Sequence, residues 1–481
     1  MKYILFSVLA LSIYSKGKAQ DTIQISQSEI EAKSLDENLQ IKLAQKEADI
    51  AQTELLGTRA MYLPNITASY TFINTNNPLM AFGSKLNQER VSAMDFDPMK
   101  LNNPKSISNF GTKVEIEQPI FNMDAILQKK AGKVKADILK IKAERTKEYI
   151  QYELRKSYMM LQLAYKMLET LENARATTLA NRKMMDNYFK NGMIQKSEIL
   201  YVDVRLSEID SQIQIAKSNI KNASDYLYFL LNENSNGKIL KPTEPLKYQE
   251  GLISEDLRLN IHRKDLEAYN KSLEAYKWLI KSSKSKFLPR LNAFGSWEIY
   301  DNKFAQFDAN GYLVGLQLSW NIFDGLKSKS ESEKYKSEVS KTQAELLQYT
   351  KQSELELSKA SRAVQDANSK IIFTQKAWEQ SKEAYRIRKN RYEQGLEKSA
   401  DLLSAETLMS QKELEYQQAI FEYNTAFAYL EFLKKFITTS SAMTASNSVF
   451  FVLWHNHQRR EPAKNSQIPG RVATETMPST K

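Results

Sequence analysis

The sequence predicts a mainly helical fold with a β-barrel part, built as the internal duplication of a long coiled-coil hairpin. Three observations predict it. Apolar or aromatic residues recur every seven positions along two stretches: Ile199, Leu206, Ile213, Ile220 and Leu227 in the first, and Leu402, Met409, Tyr416, Tyr423 and Leu430 in the second. A glycine stands seven residues before each series, Gly192 in one copy and Gly395 in the other. Upstream of each long helical stretch lie two segments of alternating apolar and polar residues, the period of a strand with one apolar face. A strict seven-residue repeat underwinds paired helices into a left-handed supercoil, so each copy is expected to double back at its glycine.

Composition narrows the function classes. The chain has 481 residues with Gly 14 and Pro 11, few enough to leave long helices uninterrupted. Cys 0 excludes disulfide scaffolds, cysteine-ligated metals and thiol nucleophiles. The three histidines, His262, His455 and His457, form no ligand cluster with metal-site spacing. No phosphate loop or nucleophile constellation is present, so neither an enzyme nor a bound cofactor or metal is expected. The net charge of +11 is concentrated partly at the two termini, and Lys and Glu intersperse elsewhere. That is the coat of solvated helices, and no nucleic-acid partner is expected.

The elements follow in order. Lys2, an apolar run from Tyr3 to Tyr14 and the small residues around Ala19 read as a secretory signal over residues 1–19. The first repeat is expected over 20–232. It begins with a helix from about Ser34 to Met61, stopped before Pro64. Ile66, Ala68, Tyr70 and Phe72 then alternate with polar residues as a first strand. Asn74 to Asn109 reads as a long loop with Asn-Asn-Pro twice, and a second strand carries Phe110, Val114 and Ile116 up to Pro119. One helix is expected from about Met123 to Lys190, roughly 100 Å long at 1.5 Å per residue. Asn191-Gly192 makes the bend, and a return helix reaches Leu231. Residues 233–254 read as a linker.

The second repeat, 255–437, keeps the order. A helix from about Glu255 to Lys286 is closed by Phe287-Leu288-Pro289, as the first is by Tyr62-Leu63-Pro64. Leu291, Ala293, Gly295, Trp297 and Ile299 form one strand face. Tyr312, Val314, Leu316, Leu318, Trp320 and Ile322 form the next. The long helix runs from about Gly325 to Glu393, bends at Gln394-Gly395 and returns to Ile437. In the seams a large residue alternates with a mostly small one, except that Arg175 and Arg182 interrupt the first copy. The tail, 438–481, does not continue the repeat and is expected to be disordered.

An ordinary dimeric coiled coil would need no strands. Here four segments of about ten residues have the length of barrel-spanning strands. No stretch offers 18 consecutive apolar residues, so an exported chain that crosses a membrane must do so as a closed barrel. Four strands cannot close one, since the smallest have about 8, and three copies would supply twelve.

With these features the chain resembles the TolC-type outer-membrane efflux family over about Ser34 to Ile437. The most specific motifs are the bends, Phe189-Lys-Asn-Gly-Met-Ile-Gln-Lys-Ser-Glu-Ile-Leu200 and Tyr392-Glu-Gln-Gly-Leu-Glu-Lys-Ser-Ala-Asp-Leu-Leu403. The resemblance implies a homotrimer whose pooled strands make a twelve-stranded transmembrane β-barrel in outer-membrane lipid. A trimeric α-barrel would continue into the periplasm, with Gly192 and Gly395 at its tip. It also implies an outer-membrane channel-tunnel that passively conducts substrates in a tripartite efflux or type I secretion system, with a periplasmic adaptor protein and an inner-membrane transporter as partners. Asp401 matches the acidic position lining the entrance. Ser404 replaces a second acid there, leaving Glu198 or Glu406 to supplement the charge. Tyr392 matches a tyrosine of the closed-state latch and Glu198 its acidic partner, with Phe189 expected in the same gate packing. The latch arginine position holds Glu397, so that salt bridge is absent or rewired. Met193 and Leu396 are expected to meet the adaptor. The competing reading is a non-conducting periplasmic scaffold or adaptor, which would have no use for four membrane-length strands.

Overall fold

A computed structural model describes residues 22–249 and 258–434. The signal segment, the tail and part of the linker read from the sequence lie outside these residues. Each repeat is dominated by one long helix and one return helix of matched length. In the first they are α5 (Met123–Lys190, 68 residues) and α6 (Lys196–Leu231, 36 residues). In the second they are α8 (Lys327–Glu393, 67 residues) and α9 (Ser399–Lys434, 36 residues). The heptad positions are the seams: Val202, Ile209, Ile213, Ile220 and Leu227 are buried in α6, and Leu402, Ala419, Tyr423 and Leu430 in α9. Arg175 and Arg182 do not break the first seam. They turn outward into ion pairs with Asp210 (2.5 Å) and Asp203 (2.6 Å) across the α5–α6 hairpin.

The four long strands form one antiparallel sheet in the order β2-β3-β5-β6, where β2 is Asn65–Thr75, β3 is Ile107–Phe121, β5 is Arg290–Asp301 and β6 is Ala309–Ser319. Its register collects the expected apolar positions on a single face. Ile66 lies opposite Ile116 and Ala68 opposite Val114. Val114 lies opposite Trp297 and Ile116 opposite Gly295. Gly295 faces Val314 and Trp297 faces Tyr312. Tyr312, Val314, Leu316 and Leu318 are all at least 68% exposed within the chain, so the β6 part of this face has no protein cover, whereas Ile299 on β5 is buried. The other face is polar, with Lys113 bridging Glu115 (3.2 Å) and Glu298 (3.5 Å). On that side the Phe294 ring lies over Gly315, where any Cβ would come within 2.5 Å of it. Among the described residues β2 and β6 each have one unpaired edge. Arg290 ties the sheet to the foot of α5 through Asp124 at 2.6 Å.

Several boundaries differ from the sequence reading, each for a local reason. The helix expected over Ser34–Met61 is two helices, α1 (Gln27–Glu37) and α2 (Leu39–Gly57), followed by a 3-10 turn at Thr58–Met61. Asn38 breaks it: its Oδ1 accepts from the amides of Gln40 and Ile41, and its Nδ2 donates to the Leu230 carbonyl at 2.7 Å. The expected loop of 74–109 contains α3 (Pro78–Asn87) and α4 (Pro98–Asn102). In both, proline occupies the first helical turn, where its missing N–H is harmless, behind a capping Asn77 or Asp97. The buried Gln88 amide pins this connection to the sheet end, donating to Ser108 O, Asn109 Oδ1 and Asp301 O. Pro119 does not end β3. A register shift between Pro119 and Phe121 absorbs it. Strand β6 stops at Ser319, leaving Trp320 and Ile322 outside. The Trp320 indole donates instead to the Phe287 carbonyl. The helix expected from Glu255 begins at Lys264 as α7 (Lys264–Ser285). The linker contains a short strand, β4 (Ile239–Pro242), paired in parallel with β1 (Thr22–Ile25).

The largest cores surround α5. One joins Ile25, Ile30, Leu154, Tyr158, Leu227 and Leu240. Another joins α5 to the second hairpin through Met159, Leu163, Leu357, Val364, Ala419 and Tyr423. Among the described residues no helix is long and apolar enough to cross a membrane. Leu227 has 0% exposure in the first core. Leu227→Ala is expected to lower stability by about 2–5 kcal/mol. Urea denaturation of the detergent-solubilised protein checks this, and an unchanged midpoint would contradict the core described.

Candidate functional site

The residues singled out in the sequence gather at the end of the helical hairpins farthest from the sheet. Both bends use the same backbone device. Gly192 and Gly395 have φ of +72°, a left-handed conformation strained for any side chain. In the first bend the amides of Gly192 and Met193 donate to the carbonyls of Phe189 and Tyr188, both at 2.9 Å. In the second, those of Gly395 and Leu396 donate to Tyr392 (3.0 Å) and Arg391 (2.9 Å). This paired pattern caps a helix end whose last carbonyls would otherwise lack partners. Met193 (70% exposed) and Leu396 (64%) project from the tip, and Phe189 lies at the margin of exposure.

Behind the bends, Met185, Val202, Tyr392, Leu402 and Leu403 form a small core drawn from all four helices. Around it the two hairpins are joined by polar contacts. The Tyr188 hydroxyl donates to the Glu393 carbonyl at 3.1 Å. Tyr392 is 3% exposed, and its hydroxyl meets Ser399 Oγ at 2.9 Å. Ser399 in turn donates to Glu198. Tyr392 and Glu198 are therefore linked, through an intervening serine. Burial pushes the Tyr392 phenol above its usual range.

Glu397 is rewired rather than idle. Arg388 and Arg391 of α8 each hold it at 2.8 Å. The second bend thus closes on itself with a two-arginine clamp. Asp401 is half exposed and lies 4.0 Å from Arg388, with its carboxylate open to solvent. Glu406 needs correction. It was expected at the entrance beside Asp401, but it has 0% exposure and sits inside the seam between α9 and α5. Asn181 donates to it at 2.7 Å and Thr178 donates to its other oxygen. Burial pushes this carboxyl upward, outweighing the lowering effect of those two hydrogen bonds.

Ser399, Thr178, Asn181 and the paired function of Arg388 were missed in the sequence. Arg388 carried a signal: it is a long cation at a seam position otherwise held mostly by small residues, one helical hairpin turn from Glu397. The hydroxyl and amide residues carried none, because polar residues on long helices are common and only three-dimensional pairing singles them out.

Residues 258–433 match the family of outer membrane efflux proteins. No curated protein sequence matches the chain significantly. The fold is similar to that of the Campylobacter jejuni CmeC outer membrane channel, with TM-score 0.71, 16% identity, and coverage of 87% of this chain and 88% of that one. It is similar also to the outer membrane protein VceC from Vibrio cholerae, with TM-score 0.68, 14% identity and coverage of 84% and 95%. The open state of the Neisseria gonorrhoeae MtrE outer membrane channel gives TM-score 0.66, 15% identity and coverage of 85% and 88%. At these identities the structural likeness is one of fold. The second repeat thus matches the outer membrane efflux protein family, and the described body shares its fold with these outer-membrane channels, in line with the resemblance read from the sequence.

Ser399→Ala should sever the link from Tyr392 to Glu198 and weaken the tip by about 1 kcal/mol. Amide exchange of residues 188–199 and 392–403 should then quicken several-fold, while exchange near Leu154 stays unchanged. Equal rates at the tip would show that the serine bridge carries no stability.

Proposed function

We propose that the chain is the outer-membrane channel-tunnel of a tripartite efflux or type I secretion system, conducting passively. The observation that carries the proposal is the sheet: four strands, one face mainly apolar and uncovered along β6, the other polar, and an unpaired strand at each edge. In a bilayer an unpaired edge is prohibitively costly, so such a sheet must close with others. Three copies supply twelve strands, with the apolar face toward lipid and the Lys113–Glu298 side toward the lumen. Residues 1–19 would direct export, and the helical hairpins would extend into the periplasm.

The tip is then the periplasmic entrance. Its bends offer the exposed Met193 and Leu396 to an apolar groove of an adaptor, and an inner-membrane transporter supplies the energy. Asp401, solvated and one turn into α9, would be repeated threefold around the opening and draw cations. Glu198 contributes less field, since Ser399 engages its carboxylate within the subunit.

The purified full chain is expected to run as a detergent-stable trimer and to conduct in planar bilayers with cation preference. A monomer without conductance would overturn the reading. Asp401→Asn should move the reversal potential in a salt gradient toward zero without altering trimer stability. Val314→Arg, at the middle of the apolar face, should cost about 2–4 kcal/mol in a bilayer and reduce the membrane-inserted fraction.

A further inference from the structure

The buried carboxyl of Glu406 takes no part in the latch, the clamp or the bend. Its surroundings contain more acceptors than protons. Thr178 has one hydroxyl proton, and two acceptors claim it: the Ala174 carbonyl at 2.9 Å and Glu406 Oε1. Asn181 supplies the other carboxyl oxygen at 2.7 Å and exchanges contacts with the Tyr385 hydroxyl at 3.3 and 3.4 Å. A proton on Glu406 resolves the conflict. Glu406 then donates to Thr178 Oγ, Thr178 donates to Ala174, and Asn181 still donates to the second oxygen.

The duplication shows what is missing. Glu406 lies eleven residues past Gly395, and its counterpart eleven past Gly192 is Asp203. Asp203 is half exposed and paired with Arg182 at 2.6 Å. Arg182 lies ten residues before Gly192, and the residue ten before Gly395 is Tyr385. The second copy thus keeps the acid, replaces its cation by a phenol and buries it. The facing groups are few. From α5 come Thr178 and Asn181, and from α8 the Tyr385 phenol, itself pushed up by burial. From α6 comes the Arg205 guanidinium, which pairs with Glu208 at 3.2 Å, keeps its Nε buried without a partner and acts on Glu406 only through its field.

We propose that Glu406 is a proton-binding site that fastens the second hairpin to the first, so that protonation holds the tip closed and deprotonation favours its opening. The sign follows from linkage. Burial raises the proton affinity of Glu406 in the closed seam above that of a solvated glutamate. The extra closed-state stability is full below the ordinary carboxylate range and is lost as pH rises through the raised value. When Glu406 is protonated, the closed state is favoured by the ratio of its proton affinities in the closed and open seams.

The gating part rests on the channel reading above, so two readouts are needed. Single-channel recording of the wild type should show open probability falling several-fold from about pH 8 to about pH 4. Glu406→Gln keeps the shape and carries no charge, so it should remain mostly closed with a flat pH profile. Glu406→Ala strips Thr178 and Asn181 of their partner and should open more at every pH. Opposite effects of Gln and Ala distinguish a proton site from mere packing, which both would weaken. Infrared spectroscopy of the detergent-solubilised protein should show a protonated-carboxyl band, absent in Glu406→Gln, that titrates above the ordinary glutamate range. Absence of that band, or a wild-type pH profile shared by Glu406→Gln, overturns the proposal. A wild type that never conducts overturns the channel reading instead, and the infrared titration still decides the proton site.

Discussion

The sheet's unsatisfied edges constrain everything else. A ladder ending in two free strands, with one face uncovered and apolar, is not a finished structure in water or in lipid. Closing it with copies of itself, as proposed, would fix the position of the helix roots, because α5 follows β3 after one residue and α8 follows β6 after a short turn. The Arg290–Asp124 pair makes that attachment rigid at one corner. Helices rooted in such a ring and running in one direction would line a continuation of it. Their matched lengths, 68 and 67 residues out and 36 back in both copies, then bring both bends to one level. A tip with a common plane is a consequence of the ladder, not a separate design.

Along the junction between the two hairpins the chemistry changes. Near the β1–β4 level the contact is apolar, with Met159 and Leu163 packed on Leu357, Ala419 and Tyr423. Toward the tip, polar bridges ring a small apolar core: Thr170 to Glu413, then Thr178 and Asn181 to Glu406, then Glu198 to Ser399 and Tyr392, then Tyr188 to the Glu393 carbonyl. Apolar packing is lost as area and has no substitute in water, whereas each of these groups can exchange its partner for a water molecule at a modest net loss. The upper junction is therefore the fixed part and the lower one the separable part. Within each hairpin apolar seam residues continue down to the core behind the bends.

The sequence disclosed what is periodic and hid what is pairwise. Seven-residue spacing located four long helices to within a few residues, and the glycines located both bends, because repetition over many turns leaves no competing interpretation. Two-residue alternation found all four long strands and their apolar face. It could not find β1 and β4, since four residues are too few to show a period, nor the break at Asn38, whose two-sided capping depends on the Leu230 carbonyl nearly two hundred residues away. At the tip, the places of Asp401 and of the exposed Met193 and Leu396 were legible because their positions depend on distance from a glycine. The place of Glu406 was not. One position along a helix changes a side chain's direction by about 100°, and whether a glutamate there meets solvent or Thr178 is decided by the neighbouring hairpin.

The differences between the copies carry the functional asymmetry, and they obey one rule. In the first copy the acids eleven and eighteen residues past the glycine, Asp203 and Asp210, are neutralised within their own hairpin by Arg182 and Arg175. In the second copy the matching acids are Glu406 and Glu413, but the arginine positions hold Tyr385 and Trp378. Deprived of internal cations, both glutamates turn to the other hairpin and take hydroxyl and amide donors, Thr178 and Asn181 for one and Thr170 for the other. The loss of two arginines thus converts intra-hairpin ion pairs into inter-hairpin hydrogen bonds. Exposed ion pairs add little and are screened by salt. A buried carboxyl held by neutral donors responds instead to protons. The first hairpin is built to be self-sufficient and the second to be fastened to it, which places any motion of the tip in the second hairpin and any control of that motion at the seam between them.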